Sequence, residues 1–143
     1  MAYTAGQKVR RGDLLPGTVI AWHQRVTTSS AATSSTAVAV LRIDGVSLTA
    51  GRMYRVWTPA ILPDGTTTTD VVRVQIHYSS SGAATTSSAI IPGAVDEDTV
   101  GNATNSSGVK IDSTYTPAAD ETGSFLLAFR LVQGTGSTTL FAD

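Results

Sequence analysis

The chain has 143 residues, a length that fits one domain with a sizeable core. It contains 0 cysteines, which excludes disulfide bonds, thiolate metal sites and a cysteine nucleophile. The 10 basic and 11 acidic residues nearly cancel, so the basic surface typical of nucleic-acid-binding proteins is not expected. The sequence has neither a long apolar run nor a signal peptide's apolar segment, which predicts a protein made in the cytoplasm, with no membrane partner.

Charged residues make up only 15% of the chain, against about 25% in ordinary domains. Serine and threonine occur in runs, for example at residues 27–30 and 66–69. A weakly charged surface rich in hydroxyl groups suits dense packing of many copies, because like charges would repel. It also suits any β-protein, since threonine favours strands. Composition alone leaves both interpretations open.

The first 18 residues show no strand pattern and are predicted to form an extended N-terminal arm that ends at a Pro-Gly turn. Residues 19–143 are predicted to form one β-domain. Its first strand is expected at residues 19–28, with Ile20 and Trp22 on one face and His23 on the other.

Residues 37–43 are apolar almost throughout, which predicts a strand covered on both faces. Asp44-Gly45 then indicates a hairpin turn, because such turns need positive φ. A return strand at 46–49 and a turn at Ala50-Gly51 lead into a strand at 52–58. Pro63-Asp64-Gly65 is expected to end this unit.

Residues 70–78 alternate cleanly, and the pattern predicts an inward face and an outward face. The inward face holds Val72, Val74, Ile76 and Tyr78, and the outward face holds Val71, Arg73, Gln75 and His77. A loop at 79–88, a short strand at 89–91 and a long surface loop at 94–108 are expected next.

Three strands complete the prediction, at residues 109–115, 124–133 and 138–142. The inward residues are expected to be Val109, Ile111 and Tyr115 in the first, and Phe125, Leu127, Phe129 and Leu131 in the second. A Gly-Thr-Gly turn at 134–136 separates the last two strands. Eight or nine strands at this spacing predict an all-β, two-sheet antiparallel sandwich. A jelly-roll-like topology is favoured over an immunoglobulin-like one.

The candidate chemical sites are weak. His23 and His77 lie on predicted outward faces of different strands, without the further ligands that zinc requires, so both are interpreted as surface histidines. Asp96, Glu97 and Asp98 are adjacent rather than at the alternate spacing of a calcium loop, and are interpreted as solvated. No Gly-x-Ser-x-Gly motif is present. The sequence therefore predicts no enzyme, no cofactor and no metal.

One strand offers a candidate interface. If Tyr54 and Val56 face the core, then Met53, Arg55 and Trp57 lie together on the outside. Interfaces are enriched in these three residue types. The alternative is that Trp57 covers the end of a sheet within the same chain.

Three segments resemble structural proteins of tailed phages that infect Actinobacteria. Residues 3–10 (YTAGQKVR) and the following Asp13-Leu14 resemble the N-terminal arms of such proteins. Residues 46–56 (VSLTAGRMYRV) are similar to a hairpin of phage β-sandwich modules, and residues 129–140 (FRLVQGTGSTTL) resemble their closing hairpin. Arg11-Gly12 departs from the small residues that usually precede the Asp-Leu pair.

The resemblance implies a virion structural protein. The chain lacks shaft repeats and heptads, which favours a stand-alone decoration protein on the capsid exterior that binds the major capsid protein and forms homo-oligomers, as trimers in many such phages. The alternative is a minor tail or receptor-binding module that recognises host-surface carbohydrate. In either case the expected partner-binding residues are Tyr3, Lys8, Arg10, Arg11 and Leu14 of the arm, together with Met53, Arg55 and Trp57.

Overall fold

The computed structural model describes residues 30–32, 36–65, 70–100, 108–133 and 138–141. These residues form strands and loops, and they include no helix that could cross a membrane. The strands are β1 (Ser30–Ala32), β2 (Val38–Leu48), β3 (Tyr54–Trp57), β4 (Leu62–Gly65), β5 (Asp70–Ser79), β6 (Ala89–Val100), β7 (Asp112–Tyr115), β8 (Glu121–Gln133) and β9 (Thr138–Phe141). The predicted all-β class is confirmed.

The strands pair antiparallel in three sheets. The largest has four strands in the order β2-β8-β5-β6, a second has the order β1-β9-β4, and β3 pairs with β7 in a two-stranded ribbon. Strands β5 and β8 are therefore the central strands of the largest sheet. Their sequences are rich in β-branched and aromatic residues, which suit a position with a neighbour on each side.

The hydrophobic core lies on one face of the four-stranded sheet. Val72, Val74 and Ile76 of β5 stand opposite Leu131, Phe129 and Leu127 of β8, and all six are buried. Ile61, Val109 and Ile111, from the segments that continue the β3–β7 ribbon, complete the same cluster. The inward residues predicted for these strands are confirmed, with Tyr78, Tyr115 and Phe125 packed at the margin of the cluster. The core thus joins the large sheet to the ribbon.

The opposite face of the four-stranded sheet is also buried along its centre, contrary to prediction. Gln75 and His77, expected to face outward, are only 4% and 2% exposed. Their partners on β8, Ala128 and Leu126, are buried as well. Simple alternation assumes one wet face, and this assumption is wrong for a central strand that is covered on both sides.

Asp44-Gly45 is a bulge and not a hairpin turn. Strand β2 runs without interruption from Val38 to Leu48 along β8, and its register shifts between Ile43 and Val46. Gly45 has φ +73°, a conformation that glycine adopts readily in bulges as well as in hairpin turns. The chain reverses only at Ala50-Gly51, as predicted, where Arg52 N donates to Thr49 O at 3.2 Å.

The predicted surface loop at 94–108 is wrong for its first seven residues, because β6 extends to Val100. The Pro92-Gly93 segment does not end the strand. It forms a bulge between two paired stretches, in which Ile90 stands opposite His77 and Val95 stands opposite Gln75. Gly93 has φ +75°, which accommodates the extra residues.

Two smaller predictions also fail. In the 37–43 segment Ala39 is exposed and Val38, Val40 and Leu41 are only half-buried, so the strand is not covered on both faces. Pro63, Asp64 and Gly65 belong to β4, which pairs with β9. Proline is tolerated there because β4 is an edge strand of its sheet. The predicted arm, the strand at 19–28 with His23, and the turn at 134–136 lie outside the described residues.

Candidate binding surface

The β3–β7 ribbon is held over the core by its inner side. Tyr54 and Val56 are half-buried, and Val56 packs against the core cluster. The Tyr54 hydroxyl accepts a hydrogen bond from Thr49 N at 2.8 Å. At the start of the ribbon, Gly51 N donates to Pro117 O at 2.8 Å. These contacts fix the orientation of β3, and therefore of the side chains on its other side.

The outer side of the ribbon consists of Arg55 and Trp57 on β3, Met53 just before it, and Asp112 and Thr114 on β7. We call it the β3–β7 face. Met53 is 69% exposed and Trp57 is 54% exposed. The predicted outward orientation of Met53, Arg55 and Trp57 is confirmed, while their role in binding stays a prediction. The alternative that Trp57 covers a sheet end is not supported, because more than half of its surface is open.

Arg55 and Asp112 form a bidentate ion pair across the ribbon. Arg55 Nε lies 2.7 Å from Asp112 Oδ1, and Arg55 Nη2 lies 2.6 Å from Asp112 Oδ2. These hydrogen bonds hold the pKa of Asp112 below its usual range and raise the pKa of Arg55. The Arg55 guanidinium also lies 5.9 Å from the centre of the Trp57 ring. The face therefore combines a fixed, internally neutralised charge pair with an exposed indole.

Sequence reasoning missed Asp112. It stands 57 positions from Arg55, and no short-range pattern links the two residues. Only the register of β3 with β7, which places Asp112 opposite Trp57 and next to Thr114, brings it to the face. A negative charge opposite a basic strand is a common cross-strand pairing, but the sequence alone does not specify which strand pairs with β3.

The carboxylates of the acidic run of β6 bind backbone amides and an arginine. Asp98 Oδ2 accepts from Gly108 N at 3.2 Å, and Asp96 Oδ2 accepts from Lys110 N at 2.8 Å. Glu97 pairs with Arg73 on the other side of the strand. The prediction of a solvated loop is wrong here, because these carboxylates tie the segment before β7 to β6. Across the parts of the chain that the structure describes, no three His, Asp or Glu side chains cluster as metal ligands.

His77, predicted to be a surface residue, is a buried structural histidine. Its Nδ1 lies 2.6 Å from Ser88 O, which can only accept, so Nδ1 donates. In the neutral ring Nε2 then accepts, and Gln75 Nε2 lies 2.7 Å away as the donor. The ring thus connects β5 to the end of the 80–88 loop.

A shallow depression of about 230 Å³ lies where the bulge of β2 meets the 80–88 loop and the start of β8. Ser124, at its floor, donates to Asp44 Oδ1 at 2.5 Å and accepts from Ala84 N at 2.8 Å. The hydrogen bond from Ser124, followed by that from Arg42, lowers the pKa of Asp44. The Ser124 hydroxyl is thus held between a carboxylate and a backbone amide.

An aromatic cluster closes one end of the core. The ring of Tyr78 lies 4.4 Å from that of Tyr115 and 4.9 Å from that of Phe125. The Tyr115 hydroxyl donates to Glu121 Oε1 at 2.8 Å. Burial is the main cause that raises the pKa of both tyrosines. Gly123 packs directly on the Tyr78 ring, where a Cβ atom would lie 2.5 Å from Tyr78 Cε2.

The five arm residues expected to bind a partner, Tyr3, Lys8, Arg10, Arg11 and Leu14, lie outside the described residues. Their relation to the β3–β7 face therefore stays a prediction. Comparison with known proteins finds no matching family model, no matching curated protein and no matching solved structure.

Proposed function

We propose that this chain is a structural protein of a phage particle, a head decoration protein that binds the exterior of the major capsid lattice and stabilises it. The observation that carries the proposal is the β3–β7 face. It is the part of the described surface where a large aromatic, a methionine and an arginine are exposed side by side. The assignment to a phage particle comes from the resemblance of residues 3–14, 46–56 and 129–140 to phage structural proteins.

The energetics of this face fit a permanent contact. Tryptophan and arginine are the residue types that most often dominate interface energies. Arg55 is already neutralised by Asp112, so covering the pair with a partner would not isolate a single buried charge. Met53 and Trp57 supply apolar area that water leaves on binding. A capsid shell, which presents the same surface many times, would use such a site repeatedly.

The finer fold belongs to the same proposal. We take the four-stranded sheet and the β3–β7 ribbon, with the core between them, as the two layers of a jelly-roll-like sandwich. The first 18 residues form an N-terminal arm attached to this sandwich. On the particle the protein is a homo-oligomer, a trimer, with no nucleic acid, membrane or cofactor involved.

The arm gives a second attachment point. In this proposal Lys8, Arg10 and Arg11 contact acidic groups of a partner subunit, while Tyr3 and Leu14 fill apolar pockets. Deleting residues 2–15 should leave the melting temperature nearly unchanged and abolish particle binding. A truncated protein that melts normally and still decorates particles would rule out this role.

A second candidate function is a minor tail or receptor-binding module that recognises a host-surface carbohydrate. The specific observation in its favour is the exposed Trp57 ring beside a fixed donor and acceptor pair. A flat ring can stack on the C–H face of a sugar, while Arg55 and Asp112 can hydrogen-bond to neighbouring hydroxyl groups.

Location within purified virions distinguishes the two functions. Cryo-electron microscopy combined with quantitative mass spectrometry should place the chain on the outer shell, in numbers that scale with the capsid lattice. A few copies per particle, with density only at the tail, would favour the carbohydrate-binding module. Absence of the chain from virions would overturn both.

A further inference from the structure

The starting point is the edge of β3 that faces away from β7, with which no strand among the described residues pairs. In an antiparallel pair, main-chain groups of alternate residues point toward the partner strand and away from it. Thr58 N donates to Ile111 O at 2.9 Å, and the register pairs Val56 with Ser113 and Tyr54 with Tyr115. Residues 54, 56 and 58 therefore direct their N–H and C=O groups at β7. Arg55 and Trp57 direct theirs away from the ribbon, and Met53 directly precedes the strand.

The edge of β3 is short, with four residues, but it has no bulge and no proline, unlike the edges of the four-stranded sheet. The edge strands of the four-stranded sheet are β2 and β6. Strand β2 has two register shifts, and β6 has the Pro92-Gly93 bulge and three consecutive carboxylates. Bulges, proline and charges are the usual devices against edge-to-edge pairing. Strand β3 is regular, and its only charge, on Arg55, is neutralised by Asp112.

We infer that β3 pairs with β3 of a second copy of this chain, antiparallel and centred on Arg55, to form a continuous β7-β3-β3′-β7′ sheet. A two-fold contact joins only two copies, so in the proposed trimer it lies between neighbouring trimers and not within one. A two-fold axis at Arg55 places Met53 opposite Trp57 of the second copy, and Trp57 opposite its Met53. A thioether beside an aromatic ring is a favourable contact, and it would form twice. The edge is thus complementary to itself in shape and chemistry.

The two-fold axis brings Arg55 of both copies together, and the ion pair with Asp112 neutralises their charges. Two arginines directly opposite each other destabilise a sheet. Here each guanidinium is bound by both carboxylate oxygens of its own Asp112, so the two copies bring two neutral pairs together. A strongly acidic or basic strand would gain nothing from this neutral edge, which favours a second copy over a charged peptide.

The pairing keeps the β3–β7 face open. The two-fold axis is perpendicular to the sheet, so Met53, Arg55 and Trp57 of both copies point to the same side. One contact surface becomes a doubled one, and a bivalent surface binds a repeating lattice more tightly than a single one. The inference does not depend on the phage assignment, because self-pairing can be measured on the purified protein alone.

The first test uses proline at the centre of the edge. Arg55→Pro removes an N–H that points away from β7, a position where an edge strand tolerates proline, and Arg55→Ala removes the same side chain but keeps the N–H. In sedimentation equilibrium, Arg55→Pro should show a lower weight-average mass than Arg55→Ala at equal concentration. Equal masses for two folded variants, or a wild-type protein that stays at 14.8 kDa up to several hundred micromolar, would overturn the inference.

The second test reads the register. The chain has 0 cysteines, so single cysteines can be introduced cleanly. Cβ atoms of opposite residues stand about 4.5–5.5 Å apart, within reach of a short thiol cross-linker. Arg55→Cys should cross-link to itself, and Met53→Cys should cross-link to Trp57→Cys when the two variants are mixed. Met53→Cys alone should not, because four residues, about 13 Å, separate it from its copy's equivalent position.

Thr114→Cys is the matched control, since it is exposed on the same face but one strand away from the axis. Equal cross-linking of all variants, including this control, would indicate random collision and contradict the pairing. Arg55→Pro could instead abolish binding to particles without changing self-association. In that case β3 would pair with a strand of a different protein, and the inference of a second copy would be wrong.

Discussion

The burial of both faces of β8 predicts that two neighbouring leucines are equally important to stability. Leu127 belongs to the core cluster, and Leu126 lies on the opposite face of the sheet; they are 7% and 3% exposed. Simple alternation assigns only Leu127 to a core. We predict that Leu126→Ala and Leu127→Ala each lower the free energy of unfolding substantially.

The expected magnitude follows from the position of β8 in the sheet. Truncating a buried leucine to alanine costs about 2–5 kcal/mol, and the cost is highest where the surroundings cannot collapse. Strand β8 is hydrogen-bonded to β2 on one side and to β5 on the other, so it cannot move into the cavity. We expect roughly 3–4 kcal/mol for either variant.

Urea denaturation followed by tryptophan fluorescence measures the difference. With a slope of about 2 kcal/mol/M, the midpoint of each variant should fall by roughly 1.5–2 M. Val132→Ala is the control, since Val132 lies on the same strand and is 41% exposed; it should change the free energy by no more than about 0.5 kcal/mol. If Leu126→Ala behaved like Val132→Ala, the second face would not be buried and this description of the sheet would be refuted.

Four further predictions concern the aromatic cluster, the tyrosine pKa values, the ion pair and metals. Gly123→Ala should lower the melting temperature, because its Cβ would clash with a Tyr78 ring confined by its neighbours; an unchanged melting curve would contradict this packing. The raised pKa values of Tyr78 and Tyr115 mean that the folded protein keeps protons that the unfolded chain releases near pH 10. Stability should therefore be full below pH 10 and fall as the pH rises further, with tyrosinate absorbance from these residues appearing only on unfolding. Acidification should leave the Arg55–Asp112 pair intact to below the usual carboxylate range, because the pKa of Asp112 is lowered; NMR titration of the carboxyl carbon measures this, and an ordinary pKa would contradict it. Dialysis against a chelator should leave both the melting temperature and particle binding unchanged, and a large loss of either would indicate a metal site.

Local periodicity predicted the elements whose two faces differ in polarity. The alternation in β3 correctly separated Tyr54 and Val56 from Met53, Arg55 and Trp57, because side chains of a strand alternate between its faces. The same rule identified the core residues of β5. These predictions depend only on neighbours in sequence, which is why one sequence was sufficient for them.

Distant partners account for what the sequence did not predict. His77 is buried because Ser88 O and Gln75 satisfy its ring, and Asp96 and Asp98 lie in a strand because later backbone amides bind their carboxylates. A glycine with positive φ suits a bulge as well as a hairpin turn. The neighbouring sequence therefore does not specify which of the two Asp44-Gly45 forms. These features depend on pairing with other strands and loops, which only the folded chain brings near.

The most direct test of the central claim, that the β3–β7 face binds the capsid, is the affinity of Trp57→Ala for capsids that lack this chain. Ile90→Ala is the control, because Ile90 is 40% exposed and lies on β6 in the other sheet. If Trp57 is an interface hot spot, its truncation costs at least about 2 kcal/mol, or roughly thirtyfold in the dissociation constant, while Ile90→Ala binds as the wild type does. Wild-type affinity of a correctly folded Trp57→Ala variant would contradict the claim.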